Sequence, residues 1–225
     1  MGNKCDDGWE GEMNGGRKLK CDCSNYEDTL QTCDKILNTT GIPDIVINCA
    51  GAGDWKFLDE MDEQEINMCI GAPLMASVHM CRHLLPDMKK KNTGHLVFVQ
   101  SPASVLPWSS CTMYSVSRWG MRGLSSALRA DLDGTNIKIT EVFLGKTKSS
   151  YFVNNPITNS RIPSISKMIG ESDTSYAARE IIWAVSKKKE LHSAPLMLRL
   201  LMFLHGMFPY LVKKIVFRYD YRESD

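Results

Sequence analysis

Three polar side chains near the middle of the chain, Ser101, Tyr114 and Arg118, have the types and spacing to do chemistry together. Ser101 directly follows the apolar run from His95 to Gln100, which reads as a buried strand, and open parallel sheets place their ligands at the carboxyl ends of strands. Tyr114 and Arg118 stand at i and i+4 of a segment, Tyr114 to Asp131, with helical periodicity, so both project from one face. A carbonyl being reduced needs a hydrogen-bond donor as negative charge develops on its oxygen, and then a proton. Ser101 suits the first task and Tyr114 the second. A free tyrosine has a pKa of about 10, too high for efficient proton exchange near neutrality. A cation about 5 Å away, at an effective dielectric of about 20, contributes roughly 3 kcal/mol toward lowering it. Arg118 is the residue placed to supply that charge.

The elements that must hold these groups can be read around them. Residues 1–17 are Gly-rich and charged, with a hydrophobic period of neither 2 nor 3.6, and are expected to be a disordered or loosely attached lead. A first strand is expected near Leu19. Ser24-Asn25-Tyr26-Glu27 reads as a capping box, Leu30, Cys33, Ile36 and Leu37 form one apolar stripe, and Gly41 ends that helix. Asp44 to Asn48 is a short apolar run that suits a parallel strand buried on both faces. From Asp62 to Lys91 a long helical stretch should kink or break at Pro73, which lacks a backbone donor. Ile137 to Phe143 gives a further strand. Alternating strands and helices predict an α/β fold with a parallel sheet covered on both faces. The organisation expected is a lead over residues 1–17, one domain over 18–194, and an apolar helical segment over 195–225.

Asn48-Cys49-Ala50-Gly51, then Ser101, then Tyr114-Ser115-Val116-Ser117-Arg118, taken in order and spacing, resemble the Asn-Asn-Ala-Gly, serine and Tyr-x-x-x-Lys motifs of the short-chain dehydrogenase/reductase family. Leu144-Gly145 falls where that family has Pro-Gly beside the nicotinamide. The resemblance covers about Lys20 to Lys188 and implies a Rossmann-like domain that transfers hydride between NADP or NAD and an alcohol or carbonyl. It also implies roles: Ser101, Tyr114 and Arg118 as the catalytic group, with Asp22 near the adenine. Asn48, Ala50, Gly51 and Gly145, together with Tyr114 and Arg118, would line the cofactor cleft.

Three departures stand out. Arg118 occupies the lysine position, and a guanidinium cannot deprotonate, so charge is kept while proton relay is not. Pro73 aligns with the family asparagine that orders the relay water. The glycine-rich turn that holds a pyrophosphate against a helix terminus has no match, because Gly8, Gly11, Gly15 and Gly16 neither follow a strand nor open a helix. In the order 3-2-1-4-5-6, the first two strands separate the Leu19 strand from the Ile45 strand. They are therefore expected to be missing, cofactor binding to be weak, and the Ile45 edge to be exposed. A non-catalytic binding or regulatory protein is the rival reading.

Composition narrows the partners. With 27 basic and 26 acidic residues the formal charge is +1, so no overall field would recruit nucleic acid. Eight cysteines at irregular spacings, several inside apolar patterns, suggest reduced thiols in an intracellular compartment, and Cys21 and Cys23 lack the further ligands a zinc site needs. No charged-then-apolar leader opens the sequence. From Pro195 to Arg218 the chain is apolar, but Arg199, His205, Gly206 and Pro209 break it short of a spanning helix. With Lys213, Lys214 and Arg218 it could instead lie in a membrane interface, cover a hydrophobic substrate, or form a subunit contact in a homo-oligomer. The substrate, the direction of reaction and the choice between NAD and NADP are not readable.

Overall fold

In the computed structural model, residues 11–13, 16–106 and 108–218 are described, and four parallel strands form the sheet on which everything else is hung. In chain order the elements are β1 (Gly11–Met13), β2 (Gly16–Lys18), α1 (Tyr26–Thr40), β3 (Ile45–Asn48), α2 (Glu63–Ile70), α3 (Ala76–Lys91), β4 (Gly94–Gln100) and α4 (Thr112–Asp131). There follow β5 (Ile137–Leu144), β6 (Lys146–Lys148), α5 (Tyr151–Asn154), α6 (Pro156–Arg161), α7 (Ser166–Ile169), β7 (Glu171–Asp173), α8 (Thr174–Ser186), β8 (Leu191–Ala194), α9 (Leu196–Met207) and α10 (Pro209–Arg218). The main sheet runs β3-β4-β5-β8, with Ile45 opposite His95, Gly94 opposite Ile137 and Glu141 opposite Leu191. Each crossover carries a helix, as parallel pairing requires.

The two faces are covered unequally. On one, Cys33 of α1, Cys81, Leu84 and Met88 of α3, and Met121 and Leu128 of α4 pack on Val46, Leu96, Phe98, Ile137 and Ile139. On the other, Ala184 of α8, with Ile181 and Val185 beside it, meets Val97 and Val142. That helix does not reach β3: Ile45 and Ile47 are each 47% exposed while Val46 and Asn48 are buried. The strand expected to be buried on both faces is therefore an edge strand with one solvated face, and its alternation is the ordinary signature of that situation.

Three local expectations are corrected. Leu19 belongs to no strand, and the ribbon just before it, β1 antiparallel to β2, is separate from the main sheet. Of the lead expected to lack structure, Gly11–Met13 and Gly16–Arg17 thus pair, whereas Gly8 and Gly15 lie outside the described residues. The cap of α1 is Asn25, whose side chain accepts from the Asp28 N–H, and not Ser24; the helix starts one residue later than the capping-box reading because asparagine serves equally well. At Pro73 the helical stretch widens but is not interrupted. Asp62 and Glu65 cap α2 reciprocally, and the chain then passes through one π-helical turn, Gly71–Met75, containing Pro73, before α3 resumes. Ser77 Oγ, in the first turn of α3, donates back to the Pro73 carbonyl at 2.7 Å.

Candidate active site

The carboxyl ends of β3, β4 and β5 open into a cleft of about 430 Å³, and Ser101, Tyr114, Arg118, Gly51 and Gly145 all line it, with Cys49. Ser101 lies immediately after β4 and caps a short 3-10 turn, its Oγ accepting from the Ala103 N–H at 3.3 Å. A hydroxyl oxygen that accepts there still has its own proton to donate elsewhere. Tyr114 is in the first turn of α4 and Arg118 one turn later, so the helical spacing does bring both to the cleft wall.

Arg118 is 7% exposed, and its Nη1 donates to the Val99 carbonyl at 3.0 Å. Its guanidinium carbon lies 5.1 Å from the Tyr114 ring centroid, a cation–π contact. Gly51 permits this: a Cβ there would stand 2.5 Å from Arg118 Nη2. Arg118 Nε is buried with no partner among the described residues.

Two of the residues expected in the cleft, Asn48 and Asp22, are not among those that line it. Asn48 is buried and donates from Nδ2 to the Val97 carbonyl at 3.3 Å, tying β3 to β4. Asp22 is exposed at the entry to α1, where its carboxylate accepts from Ser24 N at 3.0 Å and Ser24 Oγ at 2.6 Å. Ala50 is exposed on the loop between Cys49 and Gly51. Among the described residues no cluster of three His, Cys, Asp or Glu is placed to hold a metal.

The structure adds residues that motif reading missed. Trp55, Trp108, Tyr114 and Tyr151 form an aromatic wall, with Trp55 5.6 Å from both Trp108 and Tyr114, and Tyr151 6.4 Å from Tyr114, between ring centroids. Burial, and next the neighbouring Tyr114, push the Tyr151 phenol well above the usual tyrosine range, and it donates to the Gly53 carbonyl at 2.8 Å. The segment that carries Tyr151 is fastened over the cleft. Thr158 donates to Asp54 Oδ1 from both N (3.0 Å) and Oγ1 (2.9 Å), and accepts from Trp55 N at 3.0 Å. Arg161 of α6 pairs with Glu60, which holds that carboxyl down to about 2. The available signal was weak, an aromatic residue a few positions beyond Gly145 in a loop with no motif.

The short chain dehydrogenase family pattern matches residues 12–158, and the chain belongs to that family. It is similar to a 3-ketodihydrosphingosine reductase of Bacteroides thetaiotaomicron, 28% identical over 142 residues, covering 63% of this chain and 53% of the relative. A sepiapterin reductase of Chlorobaculum tepidum is 25% identical over 124 residues, 55% of this chain and 51% of the relative. The chain spans about half the length of the curated relatives it matches. Among solved structures, a short-chain dehydrogenase from Streptomyces avermitilis superposes with a TM-score of 0.71 at 19% identity, over 87% of this chain and 76% of that one, which establishes the fold. A metagenomic short-chain oxidoreductase in complex with NADP aligns with a TM-score of 0.54 at 26% identity, over 57% of this chain and 58% of that one.

Proposed function

We propose that this protein is an oxidoreductase that transfers hydride between a nicotinamide cofactor and an alcohol or carbonyl on a hydrophobic small molecule. One observation carries the reading: Ser101 and Tyr114 line one cleft at the strand ends, with the Arg118 guanidinium fixed against the tyrosine ring. Ser101 Oγ donates to the carbonyl oxygen as charge develops, and Tyr114 Oη gives the proton in reduction or takes it in oxidation. Arg118 supplies a permanent positive charge beside Tyr114 but no proton, so the phenol exchanges its proton with solvent in the cleft and not through a side-chain relay.

The cleft suits the nicotinamide half of the cofactor. Gly51 and Gly145 leave backbone open where a Cβ would meet Arg118 at 2.5 Å, or Ile169 and Pro195 at 3.1 Å, and Arg118 keeps a buried Nε without a partner. Tyr114, Arg118 and Gly145 are the groups that would hold the nicotinamide ribose, and the cofactor would supply the hydride. For the pyrophosphate, no glycine-rich turn between a strand and a helix occurs among the described residues.

The aromatic wall and the names of relatives that act on 3-ketodihydrosphingosine favour a lipid-like substrate. A peripheral membrane contact through the carboxyl-terminal helices belongs to the same reading. The test is loss of reduced-nicotinamide absorbance when the protein is mixed with NADPH or NADH and long-chain ketones. Turnover that requires Tyr114 is expected, and equal rates from the native protein and Tyr114→Phe would overturn the assignment.

A further inference from the structure

The apolar surface of this protein is concentrated on α9 and α10. Leu196, Leu200, Phe203, Leu204 and Met207 recur at helical spacing along α9 and are 74, 48, 63, 38 and 56% exposed. Phe208, between the two helices, and Leu211 and Ile215 of α10 add to it, at 52, 56 and 43% exposed. A soluble surface rarely carries a contiguous apolar patch of this kind without a partner. The inner sides of the same helices are already used: Leu198 packs on Val105, Phe143 and Ile169, while Val212 and Val216 pack into the cluster of Trp55, Trp108 and Tyr114.

Charge identifies the partner. Between Glu190 and Asp220 the sequence has no aspartate or glutamate, yet it carries Arg199, Lys213, Lys214 and Arg218, in a chain whose formal charge is only +1. Lys214 is exposed, three residues after Leu211 and one before Ile215, and so borders the apolar stripe. A second copy seated on this face by two-fold symmetry would bring no acid from the segment to pair Lys214. An anionic lipid surface instead accepts both features, the apolar stripe sinking to the acyl boundary and the lysines staying among headgroups.

We propose that the α9–α10 pair is a docking surface for anionic bilayers and sets the protein down with its catalytic wall directly behind the docked helices. The inference rests on the hydrophobic-substrate reading and makes the bilayer the source of that substrate. No described helix is long and apolar enough to cross a membrane, so the contact is with one leaflet. Because α10 itself packs on the Tyr114 cluster, the reacting group lies about one helix diameter, roughly 10 Å, from the lipid.

The experiment is co-sedimentation of the whole chain with phosphatidylcholine vesicles, with and without phosphatidylserine. Binding to the phosphatidylserine vesicles is expected, weakening as salt is raised. Replacing both lysines, Lys213→Gln with Lys214→Gln, should lower the partition coefficient about thirtyfold. Phe203→Glu with Leu211→Glu, both at exposed positions and checked for folding by circular dichroism, should abolish it. No binding to phosphatidylserine vesicles overturns the proposal, as does binding indifferent to both double variants. A dimer in sedimentation velocity that Phe203→Glu with Leu211→Glu dissociates, with no vesicle binding, assigns the face to a second copy and also overturns it. Tyr114→Phe should bind vesicles normally. Vesicle binding without turnover on any carbonyl therefore rejects the reaction alone, and turnover in detergent without vesicle binding rejects the docking alone.

Discussion

Tyr114 is held by its ring, with the Arg118 guanidinium 5.1 Å from its centroid and Trp55 5.6 Å away, so deleting its hydroxyl leaves the packing in place. Tyr114→Phe is expected to lower turnover by at least about a hundredfold, the usual size of a positioned proton donor's contribution, with an unchanged melting temperature. Steady-state kinetics beside a thermal melt checks both halves. A second residue tests the energetics of the sheet beneath. Glu141 is buried in β5, and its carboxyl is raised above the usual range first by burial, with Ser125, Arg122, Arg129 and Gln100 opposing. The folded chain then binds that proton more tightly than the unfolded chain, so stability falls as pH rises from the ordinary carboxylate value through the raised one. Gln100 Oε1, beside it, is buried without a partner. Glu141→Gln removes the ionisation cost and offers that oxygen a donor, and about 1 kcal/mol of gain would raise the melting temperature at neutral pH by roughly 2–4 °C. The advantage should vanish in melts run below about pH 4, and a lower melting temperature at neutral pH that recovers on acidification would mean that the ion pair with Arg129, at 3.9 Å, dominates. At this scale the sequence disclosed Ser101, Tyr114 and Arg118 because strand end and helical spacing fix their directions. Asn48 and Asp22 do not line the cleft, and their short polar side chains have partners close by, the Val97 carbonyl and the turn at Ser24.

Among the elements, β3 departs furthest from what its composition suggests. Ile-Val-Ile reads as a doubly buried strand, but burial of its second face depends on a covering layer contributed from elsewhere in the chain, and α8 lies over β4, β5 and β8 and not over β3. Local periodicity carries no information about that layer. The same limit explains Leu19, where an apolar residue near the start of a familiar pattern had no neighbouring strand to pair with, and Tyr151, whose place depends on a loop fastened through Thr158 and Asp54. By contrast α3, α4, β4 and β5 were legible to within a few residues, because each is buried along a single stripe or on both faces by its immediate neighbours. An edge with two exposed isoleucines is a template for pairing with other chains. Ile47→Lys should therefore suppress the growth of light scattering on storage while moving stability by no more than about 0.5 kcal/mol in a urea titration. Equal aggregation of the two forms would direct attention to α9 and α10.

For the molecule as a whole, the described residues would on the proposed reading supply the nicotinamide end of a cofactor site, with the aromatic wall beside it and without a glycine-rich turn for the pyrophosphate. If backbone donors and a helix terminus at the pyrophosphate are worth about 4 kcal/mol, this chain should bind NADPH roughly a thousandfold more weakly than a micromolar site, in the millimolar range. Calorimetry on monodisperse protein measures this, and a low micromolar constant would show that another part of the chain cradles the phosphates. The contact between Trp55 and Trp108 carries a further consequence. Two buried indoles 5.6 Å apart and inclined at 49° are too close to absorb light independently. Their transitions couple, and a coupled, tilted pair rotates near-ultraviolet light with a sign fixed by the handedness of the arrangement. Because Val212 and Val216 pack with these rings from α10 while the cleft opens beside them, the pair is a chiral antenna set between the carboxyl-terminal helices and Tyr114, and its signal will follow any movement of either.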